Sequence, residues 1–156
     1  INTHPMEIRK YKSADQEQII QLLRLNTPEY FSPDEEEDLV YYLAHHVEYY
    51  YVVEIAGVVV GCGGINLADD GLTAKISWDI VHPDHQGKGI GSALTKYRIE
   101  RIRKMEGIKT ISVRTSQLVY PFYQKFGLEL KEIVEDFWAE GFDMYRMECD
   151  LETTQD

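Results

Sequence analysis

Apolar and charged residues alternate from Met6 to Tyr11, the period-two pattern of a short strand. The pattern then lengthens to that of a helix, with Ile19, Leu22 and Leu23 on one face. Ser13-Ala14-Asp15-Gln16 ahead of it has the form of a capping box, in which a hydroxyl and an amide satisfy the first N–H groups. A second helix start is marked by Ser32 as N-cap, Pro33 at the first helical position and Glu35 three residues after the cap. Asp34 to Asp38 sit where the helix dipole favours negative charge, and Leu39, Val40, Leu43 and Val47 supply the apolar face. A patch that attracts substrate is the other reading of this acidic run.

Tyr49 to Ile55 and Val58 to Leu67 are rich in β-branched and aromatic residues, and Ala56-Gly57 between them reads as a hairpin turn. After a turn at Ala68-Asp69-Asp70-Gly71 comes a strand from about Thr73 to Val81. A glycine-rich loop, Gln86 to Gly91, then opens a helix reaching to about Met105. Its Lys96, Arg98, Arg101, Arg103 and Lys104 are expected on a solvated face. A strand (Thr110 to Arg114), a short helix (Leu118 to Lys125) and strands near Leu128 to Val134 and Met144 to Cys149 complete the chain. The order β-α-α-β-β-β-α-β-α-β-β, hairpins first and a crossover helix later, predicts an α/β fold: a mixed, mostly antiparallel sheet with helices on both faces.

With 156 residues, the chain has room for one domain able to bury its own core, and 44% hydrophobic and 28% charged residues are ordinary for a globular protein. A net charge of −11 argues against DNA, RNA or an anionic membrane as partner, since each needs basic surface. No apolar run is long enough for a membrane span. Cys62 and Cys149 match neither a zinc pattern nor a disulfide framework, which points to a reducing, cytoplasmic setting without metal. Ile1 to Pro5 reads as an addition ahead of a natural initiator, Met6, and Glu152 to Asp156 as a frayed polar tail.

The stretch Val81-His82-Pro83-Asp84-His85-Gln86-Gly87-Lys88-Gly89-Ile90-Gly91-Ser92 carries the most chemistry. Glycines at a helix start bare backbone N–H groups, which with the positive end of the helix dipole suit a pyrophosphate. The dinucleotide fingerprint G-x-G-x-x-G fails, because it would need glycine at Ser92 or at Leu94. A Walker loop fails because Gly87-Lys88 is followed by Gly89. What fits is Gln86-x-x-Gly89-x-Gly91 directly after a strand ending Val-His-Pro. In this the sequence resembles the GCN5-related N-acetyltransferase (GNAT) family. A second stretch, Val119-Tyr120-Pro121-Phe122-Tyr123-Gln124-Lys125-Phe126-Gly127-Leu128, is similar to that family's short helix with its Tyr-x-Lys-x-Gly-Phe ending.

The resemblance covers Met6 to about Leu151 and implies a cleft where two parallel strands splay apart around acetyl-CoA. Carried over by position, backbone groups of Asp79, Ile80 and Val81 pair with the pantetheine arm. Amides of Gln86, Gly87, Lys88, Gly89, Ile90, Gly91 and Ser92 hold the pyrophosphate. Ser116, seven residues before Tyr123, stands where many relatives have an asparagine touching the cofactor arm. The function implied is transfer of acetyl from acetyl-CoA to an amine, on a small molecule or a protein, by direct attack in a ternary complex. A homodimer is left open, and a non-catalytic acyl-CoA sensor or scaffold is the competing class.

An amine of lysine-like pKa, near 10.4, is neutral only roughly once in a thousand at pH 7, so deprotonation accounts for about 4–5 kcal/mol of the barrier. Positioning alone can supply about 7–11 kcal/mol, so the apparatus can be modest. Tyr123, which the resemblance also counts among the cofactor-binding residues, is the expected acid for the departing thiolate. Lys75 occupies the position, eleven residues before Gln86, where some relatives carry a glutamate base. Asp79 is the nearest replacement, with Glu54, Glu135, Asp136 or a water chain as others. His82-Pro83-Asp84-His85 and Cys62 suggest neither a metal site nor a nucleophile. Tyr49-Tyr50-Tyr51 and Asp136 to Phe142 could wall an acceptor pocket or pack a core.

Overall fold

The structure, a computed structural model, describes residues 5–151, so the expectations for residues 1–4 and 152–156 lie outside it. Strands β1 (Met6–Lys10), β2 (Tyr49–Ile55), β3 (Val58–Leu67), β4 (Thr73–Val81), β5 (Thr110–Thr115), β6 (Glu129–Ala139) and β7 (Phe142–Asp150) form one sheet, ordered β1-β2-β3-β4-β5-β7-β6. Helices α1 (Gln16–Leu25) and α2 (Glu35–His45) connect β1 to β2, α3 (Ile90–Arg103) connects β4 to β5, and α4 (Tyr120–Gln124) precedes β6. Every neighbouring pair is antiparallel except β4 with β5. The predicted order and the mixed sheet are both present. The β2–β3 turn places Ala56 and Gly57 at φ 54 and 80°, the left-handed pair that a two-residue hairpin requires.

The sheet buries a core on each face. Ile19, Leu22, Leu23, Leu39 and Leu43 of α1 and α2 pack on Tyr50, Val52, Cys62 and Ile80. Ile90, Leu94 and Ile102 of α3, with Tyr123 and Leu128, pack on Tyr51, Val53, Ile76 and Val113. Strand alternation therefore sends Tyr50 and Tyr51 to opposite faces, while Tyr49 stays exposed.

Three local expectations change. At α1, Ser13–Asp15 form a 3-10 turn, and the Asp15 carboxylate, not Ser13 or Gln16, accepts the Lys12 N–H at 2.8 Å. Arg9 grips the same carboxylate through two bonds of 2.9 and 2.8 Å and holds its pKa below the usual range, so a charged acceptor displaces a hydroxyl. At α2, Glu35 Oε2 does reach back to the Ser32 N–H at 2.8 Å, but the helix begins at Glu35, after Pro33 and Asp34. The last two strands extend to Ala139 and from Phe142, so the Asp136–Phe142 segment is the end of a long hairpin with Asp136 bulged at φ 54°.

The basic stretch on α3 is the largest correction. Arg98 is fully buried, because it shares the i, i+4 stripe of Ile90, Leu94 and Ile102. Arg101 lies over the Tyr97 ring, its guanidinium carbon 3.4 Å from the ring centroid.

Candidate active site

Strands β4 and β5 pair only from Thr73↔Thr110 to Ile76↔Val113. Beyond that point β4 carries a bulge: Trp78 and Asp79 stand opposite the single residue Gly63, between the pairs Gly64↔Ser77 and Cys62↔Ile80. Trp78 has φ 49°, rare for a bulky side chain, and the Tyr50 hydroxyl holds its carbonyl at 2.8 Å. The bulge bends β4 while β5 stays tied to β7 as far as Thr115↔Tyr145, so the two parallel strands part. A cavity of about 1250 Å³ fills the gap and reaches from α2 to the start of α3. That exceeds the ~300–1,000 Å³ of ordinary ligand pockets.

Of the three β4 residues expected to pair with a cofactor arm, two face it differently from the third. His82 N–H bonds to Val60 O at 2.8 Å, so by alternation the peptide groups of Ile80 also point at β3, not the gap. Those of Val81 point to the open edge, but its carbonyl already accepts Asn26 Nδ2 at 3.0 Å. The Ile80 peptide groups thus turn to β3, while the Val81 N–H faces the gap.

The glycine loop is sharpened in the same way. A 3-10 turn at Pro83–His85 leads into it, and the Gln86 and Lys88 amides are spent on Pro83 O (3.4 Å) and His85 O (3.3 Å). The first α3 bond runs from Ala93 N–H to Gly89 O at 2.9 Å, so the N–H groups of Ile90, Gly91 and Ser92 have no acceptor within the helix. Gly87 and Gly89 have φ 80 and 86°, the region that favours glycine, and a Cβ on Gly91 would meet the Phe122 ring at 3.4 Å. The Gln86 side chain braces the loop, donating to Asn26 Oδ1 at 3.1 Å. Of the loop amides, those of Gln86 and Lys88 are thus already bonded, while those of Gly87 and Gly89 through Ser92 have no backbone acceptor among the described residues.

Tyr123 and Asp79 come together on the α3 side of the gap. The Tyr123 hydroxyl donates to Asp79 Oδ2 at 2.5 Å, and burial, then the Asp79 charge, push its pKa well above the ordinary value. Arg98, missed in the sequence, forks onto the same carboxylate, Nη1 to Oδ1 at 2.5 Å and Nη2 to Oδ2 at 2.8 Å, and also donates to Gly64 O at 3.1 Å. Burial opposes its charge, but Asp79 outweighs that and holds Arg98 above its usual pKa. Both Asp79 oxygens are thus bonded, and the carboxylate faces Arg98 and Tyr123. Ser116 is buried on the cavity wall, where its Oγ accepts the Leu118 N–H at 3.2 Å and its carbonyl starts α4.

Phe31, Tyr42 and Trp78 also line the cavity, with the Phe31 and Trp78 rings 15° from parallel and 6.3 Å apart. The Tyr42 hydroxyl donates to Asn66 Oδ1 at 2.5 Å, and burial pushes its pKa up to about 12. Glu35 lines the cavity too, and burial, opposed by the Ser32 N–H, raises its carboxyl pKa. Trp138 and Phe142 of the β6–β7 hairpin also line the cavity, whereas Glu135 and Asp136 do not. Glu54 is bonded to Arg9 at 2.8 Å near the β1 edge, far from the gap. Among the described residues no group of three His, Cys, Asp or Glu is disposed to hold a metal, and no helix is long and apolar enough to cross a membrane.

Cys62 lies fully buried beneath the bulge, and burial pushes its thiol up to about 12, so the thiolate is scarce at neutral pH. Iodoacetamide at pH 8 should leave Cys62 unmodified in the native protein and label it in urea. Mass spectrometry of the tryptic peptide checks this, and rapid native labelling would show an open core.

Comparison with known proteins places this architecture. The model of the acetyltransferase (GNAT) family matches residues 17–128, and the chain belongs to that family. An acetyltransferase of Sodalis glossinidius is 32% identical over 136 residues, covering 83% of this chain and 91% of that protein. An amino-acid acetyltransferase of Pasteurella multocida matches at 28% over 93 residues, and the match spans only 21% of that longer protein. Among solved structures, yncA of Salmonella typhimurium, determined with its cofactor acetyl-CoA, superposes with a TM-score of 0.72 at 22% identity, covering 97% of each chain. An aminoglycoside 6'-N-acetyltransferase complexed with coenzyme A gives 0.77 at 16% identity, covering 96% of this chain and 99% of that one. At these identities the structural likeness is one of fold.

Proposed function

We propose that this protein moves an acetyl group from acetyl-CoA to an amine by direct attack within a ternary complex. The observation that carries this is the parting of β4 from β5 at the Trp78–Asp79 bulge, which puts the α3 amides, Tyr123 and an aromatic wall on one cavity. In this reading the amides of Gly87 and Gly89 through Ser92 hold the pyrophosphate, and the Asp79 and Val81 N–H groups and Ser116 hold the pantetheine arm. Tyr123 passes a proton to the departing sulfur. The amine enters past Phe31, Tyr42 and Trp78. Those rings, Glu35 and the −11 net charge suit a cationic acceptor such as a polyamine, an aminoglycoside or a lysine side chain. The reading is completed by a single cytoplasmic domain that engages neither nucleic acid nor membrane.

Calorimetric titration with acetyl-CoA and CoA, against NADH and ATP, tests the binding half, followed by thiol release with spermidine, kanamycin and lysine. Selective CoA binding with thiol release supports the enzyme. Selective binding without release by any amine favours the sensor, and no binding removes both. Tyr123→Phe should lower kcat by about 10²–10⁴-fold with the CoA affinity unchanged. A full-rate variant would take the acid role away from Tyr123.

A further inference from the structure

Arg98 occupies a position on α3 that the spacing of Leu94 and Ile102 would assign to a hydrophobic side chain, and it is completely buried. An ion pair in such a place seldom adds stability over apolar packing, because desolvation offsets the attraction. The fold nevertheless makes room for it. A Cβ on Gly63 would lie 2.3 Å from Asp79 Oδ1 and 2.8 Å from Arg98 Nη1. The guanidinium is aimed at one carboxylate, and that carboxylate at one phenol, both on the wall of the cavity.

A phenol bonded to a carboxylate is a poor acid when it acts alone. Reference values near 10 for tyrosine and near 8.5 for a thiol already make proton transfer from phenol to thiolate uphill by about thirtyfold. Burial and the Asp79 charge increase that deficit for Tyr123. The deficit disappears if the carboxylate gains a proton as the phenol loses one. A carboxylate offers about four acceptor positions. Arg98 and Tyr123 occupy three on Asp79, whose side chain remains 19% exposed. Tyr50 and Cys62, which approach from β2 and β3, are pushed up by burial and stay neutral, so Arg98 supplies the charge that faces Asp79.

We propose that Asp79 and Tyr123 form a single proton relay for acetyl transfer, with Arg98 the positioning residue that holds the carboxylate against the phenol. The proposal rests on the acetyl-transfer reading above. The amine nitrogen lone pair forms the N–C bond to the thioester carbonyl carbon, and the C–S bond breaks with its electron pair left on sulfur. Asp79 takes the proton from nitrogen, directly or through one water, and the Tyr123 proton goes to sulfur. The proton on Asp79 then returns to the Tyr123 oxygen. The products are the acetamide and the free thiol, and both residues end as they began.

The test compares wild type, Tyr123→Phe, the paired replacement Asp79→Leu with Arg98→Leu, and all three together. Thiol release from acetyl-CoA is followed with spermidine, kanamycin and lysine, and CoA binding by calorimetry. The relay predicts that the paired replacement folds and binds CoA as wild type does, with KM unchanged and kcat lower by about 10²–10⁴-fold. Adding Tyr123→Phe should cost little more, because residues acting as one unit are not additive. The wild-type kcat should vary along a curve with the deuterium fraction of the water, and Tyr123→Phe should straighten it. A folded paired variant with wild-type kcat would make the pair a packing device and overturn the relay. Losses that multiply in the triple variant would overturn it as well. If the paired variant does not fold, isotope curvature that survives Tyr123→Phe is the refuting result. Wild type that binds CoA but acetylates none of the amines would instead sink the acetyl-transfer reading itself, and the relay with it.

Discussion

Gly89→Glu should abolish measurable binding of acetyl-CoA and CoA, a loss of at least about 100-fold, while leaving the protein folded. Gly89 sits at φ 86°, where a side chain costs roughly 1 kcal/mol relative to glycine. No atom lies within 4 Å of a Cβ built there, so the variant keeps its packing and loses only a few degrees of melting temperature. The larger effect is electrostatic. A carboxylate at the head of α3 is itself an anion for the amides of Ile90, Gly91 and Ser92, and it repels the pyrophosphate those amides would otherwise hold. Gly89→Ala separates the two causes, since it carries the backbone strain without the charge and should weaken binding far less. Calorimetry on the three proteins decides the matter. Wild-type affinity in the glutamate variant would remove the loop from the cofactor site.

Arg98→Leu should be among the most destabilising single changes in the molecule. It leaves the Asp79 carboxylate bonded to Tyr123 but without its cation, inside a wall formed by Gly63, Leu94 and Tyr123. Breaking a buried pair from one side costs about 3–5 kcal/mol, because the remaining charge has lost its compensation. For a chain of this size that is a fall of roughly 10 °C or more in melting temperature. Adding Asp79→Leu removes the stranded charge and should recover most of the loss, since well-packed apolar residues often match a buried ion pair. Differential scanning calorimetry of the two variants provides the check. A single variant that melts with wild type would mean that solvent reaches Asp79 freely.

The correct and the mistaken expectations separate by whether a rival partner competes for the same group. Glu35 reaching Ser32 and Ala56-Gly57 turning the hairpin are contacts within four residues, and both are present. The capping expectation at Ser13 failed because Arg9, from the strand before, recruited Asp15. Five basic residues in one stretch suggest a wet face for Arg98. Its spacing from Ile90, Leu94 and Ile102 contained the opposite signal, and that stripe could have been counted. The glycine motif by itself treats the loop amides as a block. Only the turn at Pro83–His85 reveals that the Gln86 and Lys88 amides are already used.

On its own, the sequence determined the order of elements, the mixed sheet and the glycine-opened helix. Period, capping residues and left-handed turns are local properties that each segment carries before it packs. The gap between β4 and β5 was implied by the family resemblance, but its cause was decided by tertiary structure, because it depends on Gly63 of β3 facing two residues of β4. So was the unit of Asp79, Arg98 and Tyr123, drawn from a strand and two helices up to 44 positions apart. A charge is tolerated in a core only where its partner arrives from elsewhere in the fold, and no single stretch of sequence records that arrival.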